Sequence, residues 1–367
     1  MASAITEHRV TQESVFCYRI PTEEPESDGT LKWDHTDLIL VQLHSGDTQG
    51  MGYTYANPAT AKMIKEILFQ EVHNEDPMDI SRLWYKMLSK IRNLGQPGVA
   101  SMAVAALDNA LWDLKAKLIN LPLCKLLGQV RPSVPVYASG GFTSYTAKKL
   151  QEKFEEGVNE GYEMFKMKIG RDYPQDLKRL EAARATIDNK MLFVDANGAY
   201  FPKEAVAMTE ILEGFEVKWF EEPVTSDHLI GLHFVRTHGS PKMNISAGEY
   251  GYNQTYFNQM LAAQAVDVLQ ADATRCAGIT GFIKAHDLCE AHHLPFSAHC
   301  APSLHLHPSL CLKNLQHIEN FRDHVRIEHM LFNGCKKAEN GYMEPDLSLA
   351  GFGLEFKFQD AQKFQIH

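Results

Sequence analysis

The feature that most constrains this 367-residue chain is a rhythm that begins at Val134. Seven short apolar runs of strand length occupy residues 134–139, 165–169, 192–196, 217–220, 244–247, 268–271 and 294–298. Their starts lie 31, 27, 25, 27, 24 and 26 residues apart, and a helical stretch follows each run. One strand–helix unit needs about that length, and strands that connect through helices pair in parallel. Seven such units in series close into a (β/α) barrel more readily than into an open sheet. A doubly wound sheet is the runner-up, but no G-x-G-x-x-G marks its dinucleotide crossover.

Upstream the pattern differs. Runs at 15–20 and 37–44 alternate like strands, Gly46-Asp47 makes a turn, and a polar, acidic loop is expected over 21–36. Helical periodicity follows at 61–72, 78–92 and 97–118, and Gly128 and Pro132 close the block. Residues 1–130 therefore read as an α+β domain, 131–329 as the barrel, and 330–367 as a segment that loses the rhythm and returns to the first domain. With 44% hydrophobic and 22% charged residues the chain is globular. A net charge of −10 and no Lys/Arg run longer than two argue against nucleic acid. No apolar stretch reaches the ~20 residues of a membrane span, and the opening residues lack the apolar core of a secretory leader. Seven scattered cysteines without a C-x-x-C suit reduced thiols, so a cytoplasmic protein is expected.

In a parallel barrel, chemistry sits where the strands end. Strand two ends in Lys166-Met167-Lys168, strand three in Asp195-Ala196-Asn197 and strand four in Glu221-Glu222-Pro223. Strands five, six and seven end at Glu249, Asp272 and His299. Ionisable residues at each of six successive strand ends are not what random surface charge produces. Asp195, Glu221 and Glu249 form an all-oxygen set, which suits Mg²⁺ or Mn²⁺ and not zinc. Singly, each could equally be half of an ordinary ion pair. Lys166 and Lys168, two apart, point to the same side of a strand, where proximity and burial are expected to depress a lysine from about 10.4 to about 7–8, low enough to act as a base. Asp272 beside His299 would fix the imidazole tautomer. Lysine and histidine strands lie nearly opposite, so one base is expected on each face of a metal-held carbon.

In this order and spacing, the motifs resemble the mandelate racemase-like branch of the enolase superfamily over most of the chain. They are Lys166-Met167-Lys168, Asp195-Ala196-Asn197-Gly198, Glu221-Glu222-Pro223, Gly248-Glu249, Asp272 with Gly278-Ile279-Thr280-Gly281, and His299. Ala110-Leu111-Trp112-Asp113-Leu114 and Pro122-Leu123-x-x-Leu126-Leu127-Gly128 resemble the lead-in to that family's barrel. The resemblance implies a modified TIM barrel, (β/α)7β, under an N-terminal α+β capping domain. It implies one Mg²⁺, with Mn²⁺ as a substitute, on Asp195, Glu221 and Glu249, and a small carboxylate substrate losing its α-proton to give an enediolate. Lys168 would be the acid/base on one face, with Lys166 neutralising the substrate carboxylate; His299, oriented by Asp272, would serve the other. Glu319 would bond the substrate carboxylate, with Glu328 as a rival, and Asn197, Trp33 and Tyr53 would contact substrate, the last two, with Tyr55, from loops over the mouth. A symmetric homo-oligomer is implied as well. Ala271 and Ala277 depart from the proline and glycine common at those places.

Two reactions share that first step. A sugar-acid dehydratase would have His299 protonate a departing β-hydroxyl, whereas a racemase or epimerase would return the proton to the α-carbon. The polar segment 21–36 favours a many-hydroxyl substrate and hence the dehydratase. A catalytically retired binding or structural protein is the reading from another class. His305-Leu306-His307 and His292-His293 suggest zinc, but on a helix i and i+2 lie about 200° apart, and the first strand reads Tyr137-Ala138-Ser139-Gly140 where a barrel hydrolase carries H-x-H. Gly140-Gly141 reads as a phosphate cradle or, more simply, a tight turn.

Overall fold

The computed structural model describes residues 8–366. Residues 1–7, part of the opening read above for a leader, lie outside the described residues. Strands β1 (Gln12–Ser27) and β2 (Lys32–Ser45) form one long antiparallel hairpin, and β3 (Thr48–Tyr55) pairs with β2 through a two-residue turn. Period-two alternation lets β2 serve two cores: Leu38 and Leu40 join the core that continues into the barrel, while Ile39, Val41 and Leu43 face the helices of the cap. Those helices include Ile80–Lys90, whose Ile80, Leu83, Trp84 and Met87 are buried at helical spacing, and Val99–Leu118. The second presses so closely on β3 that a Cβ at Gly52 would lie 2.3 Å from Ala106 O and from Ala110 N.

The expected loop at 21–36 is instead strand. Its polar composition imitates a loop, yet pairing continues past an irregularity between Pro21 and Glu26 to Glu26↔Trp33 and Ser27↔Lys32. The turn is confined to residues 28–31, where Asp28 Oδ1 accepts from Thr30 N and Leu31 N, each at 2.7 Å.

Eight parallel strands then close a barrel: β4 (Val134–Gly141), β5 (Met164–Lys168), β6 (Met191–Asp195), β7 (Val217–Glu221), β8 (Asn244–Ala247), β9 (Val268–Ala271), β10 (Phe296–Ala298) and β11 (Leu315–Phe321). β11 closes the ring against β4, with Glu319 opposite Tyr137. This eighth strand is absent from the apolar rhythm because its connecting helix, Pro302–Ser309, has only 8 residues and its own alternation carries His317 and Glu319 inward. Helix starts follow their caps: Thr146, Asp172 and Asn253 accept from Lys149 N, Gln175 N and Tyr256 N. Tyr137, Phe193, Trp219 and Val268 plug the barrel below its mouth. Gly140 and Gly141 end β4, where Phe142 N donates to Gly140 O at 2.9 Å and closes a tight turn about Gly141; a Cβ at Gly140 would meet Arg322 Cβ at 2.8 Å.

After the helix Arg322–Leu331, β12 (Phe332–Asn333) pairs with β14 (Glu355–Phe356). β13 (Tyr342–Met343) pairs with β4 of the barrel, and β15 (Gln365–Ile366) pairs with β1 of the cap, so the C-terminal segment touches both bodies. One apolar core runs from Tyr18, Leu38, Met51 and Tyr53 through the barrel to Phe332 and Phe356. Among the described residues no helix is long and apolar enough to cross a membrane.

Candidate active site

The strand ends converge as their periodicity requires. β5, β6 and β7 each stop on a residue whose side chain turns into the mouth: Lys168, Asp195 and Glu221. Glu249 is brought round by Gly248 (φ 137°), where a Cβ would collide with Gln270 O at 2.0 Å. Asp195, Glu221 and Glu249 are buried, and one oxygen from each lies within 4.8 Å of the other two. Three hard oxygens converging in a buried site, with Glu249 Oε2 lacking any hydrogen-bond partner, fit Mg²⁺. The electrostatics point the same way: burial, then the Asp195 charge, pushes the Glu221 carboxyl up to about 8. A nearby dication relieves that penalty.

Lys166 Nζ lies 2.7 and 2.8 Å from the two Glu221 oxygens and 2.8 Å from Glu319 Oε1. Lys168 Nζ donates to Asp195 Oδ2. These contacts oppose the expected depression of the lysines. Burial does pull both downward, but Glu221 and Glu319 around Lys166, and Asp195 beside Lys168, outweigh it and hold both above the ordinary lysine value. The expectation weighed the two ammonium groups against each other and omitted the carboxylates in direct contact with them.

On the far side, His299 Nδ1 donates to Asp272 Oδ2 at 2.8 Å, and Asp272 Oδ1 accepts from Thr274 N at 2.7 Å. Despite its burial, Asp272 is held well below the usual carboxylate range by that histidine. Burial pulls His299 down, yet Glu249 and the Asp272 bond raise it overall. With Nδ1 engaged, Nε2 faces the site, 3.3 Å from Glu249 Oε2 and 3.7 Å from Glu319 Oε2. Lys168 thus stands at the Asp195 end of the carboxylate set and His299 at the Glu249 end.

Of the rival glutamates, Glu319 enters the mouth, accepting from Ser139 Oγ at 2.6 Å. Glu328 lies in the cap–barrel seam, accepting from Tyr53 Oη at 2.7 Å and Ser303 N at 2.9 Å, and burial pushes it up to about 7. Tyr53 and Tyr55 are therefore not on loops: both belong to β3, the Tyr53 hydroxyl is committed to Glu328, and Tyr55 stacks on His324 at 3.6 Å. Trp33 likewise sits in β2; its Nε1 donates to Glu26 at 2.8 Å and its ring meets Phe142 edge-on. The hairpin end does reach the mouth, where Ser27 O accepts from Thr143 N at 2.8 Å and Thr30 Oγ1 donates to Asn197 O at 3.3 Å. Asn197 N donates to Asp195 Oδ1 at 2.8 Å, and Asn197 lines a cavity together with Glu222 and Tyr250.

The His305 and His307 side chains do not share a partner. His305 Nε2 accepts from Ala273 N and His307 Nδ1 from Cys124 N, and burial lowers His307 to about 4. Residue reading missed four neighbours of the site: Ser139, Trp219, Arg275 and Cys300. Trp219 Nε1 donates to Glu221 Oε2 at 2.9 Å, and Arg275 reaches Glu249 Oε1 at 3.2 Å. Trp219 was findable, since it precedes Glu221 by two residues and so shares its face of the strand.

Residues 14–128 match the model of the mandelate racemase / muconate lactonizing enzyme N-terminal domain, and residues 149–361 match the enolase C-terminal domain-like model. The chain is 32% identical over 287 residues to a 3,6-anhydro-alpha-L-galactonate cycloisomerase of Streptomyces coelicolor, covering 76% of this chain and 78% of the relative. A mandelate racemase/muconate lactonizing enzyme-like protein from Rubrobacter xylanophilus superposes with a TM-score of 0.95 at 42% identity, covering 98% of this chain and 100% of that one. L-talarate/galactarate dehydratase from Salmonella typhimurium, liganded with Mg and L-lyxarohydroxamate, superposes with a TM-score of 0.90 at 29% identity, covering 100% of this chain and 95% of that one.

Proposed function

Because the chain belongs to the mandelate racemase / muconate lactonizing enzyme family of the enolase superfamily, we propose that this enzyme removes the proton α to the carboxylate of a sugar acid and expels the β-hydroxyl, yielding a 2-keto-3-deoxy acid. The observation that carries the reading is the placement of Lys168 and His299 at opposite ends of the Asp195–Glu221–Glu249 set.

Asp195, Glu221 and Glu249 would hold Mg²⁺, or Mn²⁺ in its place, which when bound supplies positive charge to bind the substrate carboxylate and to offset the charge that develops as the proton leaves. Lys168, once a dication offsets most of the charge of the three carboxylates, would be governed chiefly by burial and the Lys166 charge, both of which lower its pKa toward that of a working base. Its Nζ takes the α-proton. Lys166 and Glu319 meet the substrate carboxylate from the Glu221 side. His299, as imidazolium with Nδ1–H held by Asp272, gives its Nε2 proton to the β-hydroxyl, which leaves as water. The polar hairpin end over the mouth, with Glu26, Thr30 and Trp33, supports a polyhydroxylated substrate, and the dehydratase relative supports the lyase outcome. An isomerase is the second reading, favoured by the cycloisomerase relative: the same base begins the reaction and the proton is returned without loss of water.

The test is a panel of stereochemically varied sugar acids with Mg²⁺ in D₂O, read by proton NMR at the α-carbon and by a carbonyl reagent. Keto product from one acid identifies a dehydratase and its substrate together. An isomeric product carrying deuterium at the α-carbon, without keto product, establishes the isomerase reading, and neither signal on any acid removes both.

A further inference from the structure

Beside the all-oxygen set lies a second group of convergent donors of different chemistry. His299 Nε2, Cys300 Sγ and Glu319 Oε2 form a triangle with sides of 3.2, 3.4 and 3.7 Å. A tetrahedral Zn²⁺ with Zn–S of about 2.3 Å and Zn–N or Zn–O of about 2.0–2.1 Å separates its ligand atoms by roughly 3.3–3.6 Å. The triangle therefore already has the size of one face of such a site.

Its corners are built and held. Cys300 (φ 51°) and Ala301 (φ 40°) are consecutive residues in the left-handed region, without glycine, and this reversal folds the Cys300 thiol back beside the His299 ring. Asp272 holds Nδ1 of His299 and so leaves Nε2 aimed inward. Ser139 and Lys166 occupy Oε1 of Glu319, and Cys300 N donates to its Oε2, which faces the thiol. Each donor has the kind of outer partner that orients metal ligands. All three residues are buried in the mouth beside the oxygen set.

We propose that His299, Cys300 and Glu319 form a site for a thiophilic dication, Zn²⁺ or Cd²⁺, distinct from the oxygen set and inhibitory when filled. Sulfur and imidazole nitrogen select zinc-like ions, whereas Mg²⁺ prefers the all-oxygen donors, so the two sites sort ions by softness. Binding replaces the thiol proton, which passes to solvent, by a metal–sulfur bond. It also takes the His299 Nε2 lone pair, releasing any proton on Nε2 to solvent, so the ring can neither take nor give a proton there. The inhibitory consequence rests on the assignment of His299 as a catalyst above; the binding does not.

The experiment uses the full-length, Mg²⁺-saturated protein titrated with Cd²⁺ and then Zn²⁺. Binding is read as thiolate-to-Cd²⁺ absorbance in the ultraviolet, and turnover is followed in parallel on an acid accepted by the enzyme. One equivalent of Cd²⁺ should produce the absorbance, and Cys300→Ser and Cys300→Ala should each lose it while keeping their Mg²⁺-dependent thermal shift. Stoichiometric Zn²⁺ should lower wild-type turnover at least tenfold, with excess Mg²⁺ failing to restore it, and both variants should resist. Equal absorbance in wild type and variants overturns the site, whatever turnover does. Absorbance that depends on Cys300 but leaves turnover intact keeps the site and overturns its inhibitory role, and with it His299 as a catalyst.

Discussion

At the scale of single residues the site is a balance of buried charges in which no group can be read alone. Lys166 is held by two carboxylates at once, and Lys168 by a third. Removing the Lys168 ammonium (Lys168→Ala) or the His299 ring (His299→Asn) should lower turnover by about 10²–10⁴-fold, the usual worth of a positioned acid or base. Mg²⁺ affinity, measured calorimetrically, should stay within a few-fold in both variants, because neither side chain belongs to the oxygen set. Near-normal turnover in either would remove it from the mechanism. Trp219→Phe makes a complementary prediction. It keeps the ring stacked on Phe193 but removes the N–H that Glu221 Oε2 accepts. Outer-partner losses of this kind cost about 10–100-fold in metal affinity, so Mg²⁺ binding should weaken at least about tenfold with the fold intact. Unchanged affinity would reduce Trp219 to barrel filling.

At the scale of elements, the helix Val99–Leu118 joins the two bodies through the buried carboxylates Asp108 and Asp113, the second of them in the motif read as the lead-in to the barrel. Asp113 accepts from Met51 N and Phe352 N, each at 2.9 Å, tying the cap sheet to the C-terminal segment. Asp108 accepts from Thr280 N at 2.8 Å and Thr280 Oγ1 at 2.7 Å, pinning the start of the barrel helix Gly278–Ala291. Ala277, just before that helix, sits at φ 63°, a conformation glycine adopts without strain, so the departure noted in the sequence falls where backbone fit is tightest. Burial pushes Asp108 up to about 7 from 3.8. A carboxyl raised in the folded state stabilises it fully below the unfolded value, and that contribution is lost as pH rises through about 7. Asp108→Asn cannot ionise. Its stability relative to wild type, followed by thermal melts, should therefore climb between about pH 4 and pH 7, by at most about 4 kcal/mol for a shift of this size. A pH-independent difference in thermal melts would show that Asp108 does not titrate there.

At the scale of the whole molecule, cap and barrel share one apolar core, and the chain returns from β11 through β12 and β14 to pair β15 with β1. A ligand that binds only the folded state stabilises all of it. At a hundredfold excess over Kd, Mg²⁺ should add about 2.7 kcal/mol. Divided by the unfolding entropy of a chain this long, that raises Tm by roughly 3 °C. Glu221→Gln should abolish most of the shift, and a full shift in that variant would take Glu221 out of the ligand set.

Residue order alone was enough for the barrel, for the strand-end positions of Lys166, Lys168, Asp195, Glu221, Asp272 and His299, and for the all-oxygen character of the converging carboxylates. Those features repeat at short range, where the period of a strand–helix unit and the alternation of a strand act within a few residues. Contacts between distant segments decided the rest. Polar composition hid the strand pairing of 21–36, because pairing depends on the partner strand and not on the residues between. Glu319 was separated from Glu328 by which side of β11 and its following helix faces the mouth. The ionisation of the lysines turned on carboxylates 27 to 153 residues away in the chain but in contact in space. Burial and charge act through distance in the folded molecule, and that distance exists only once the barrel has closed.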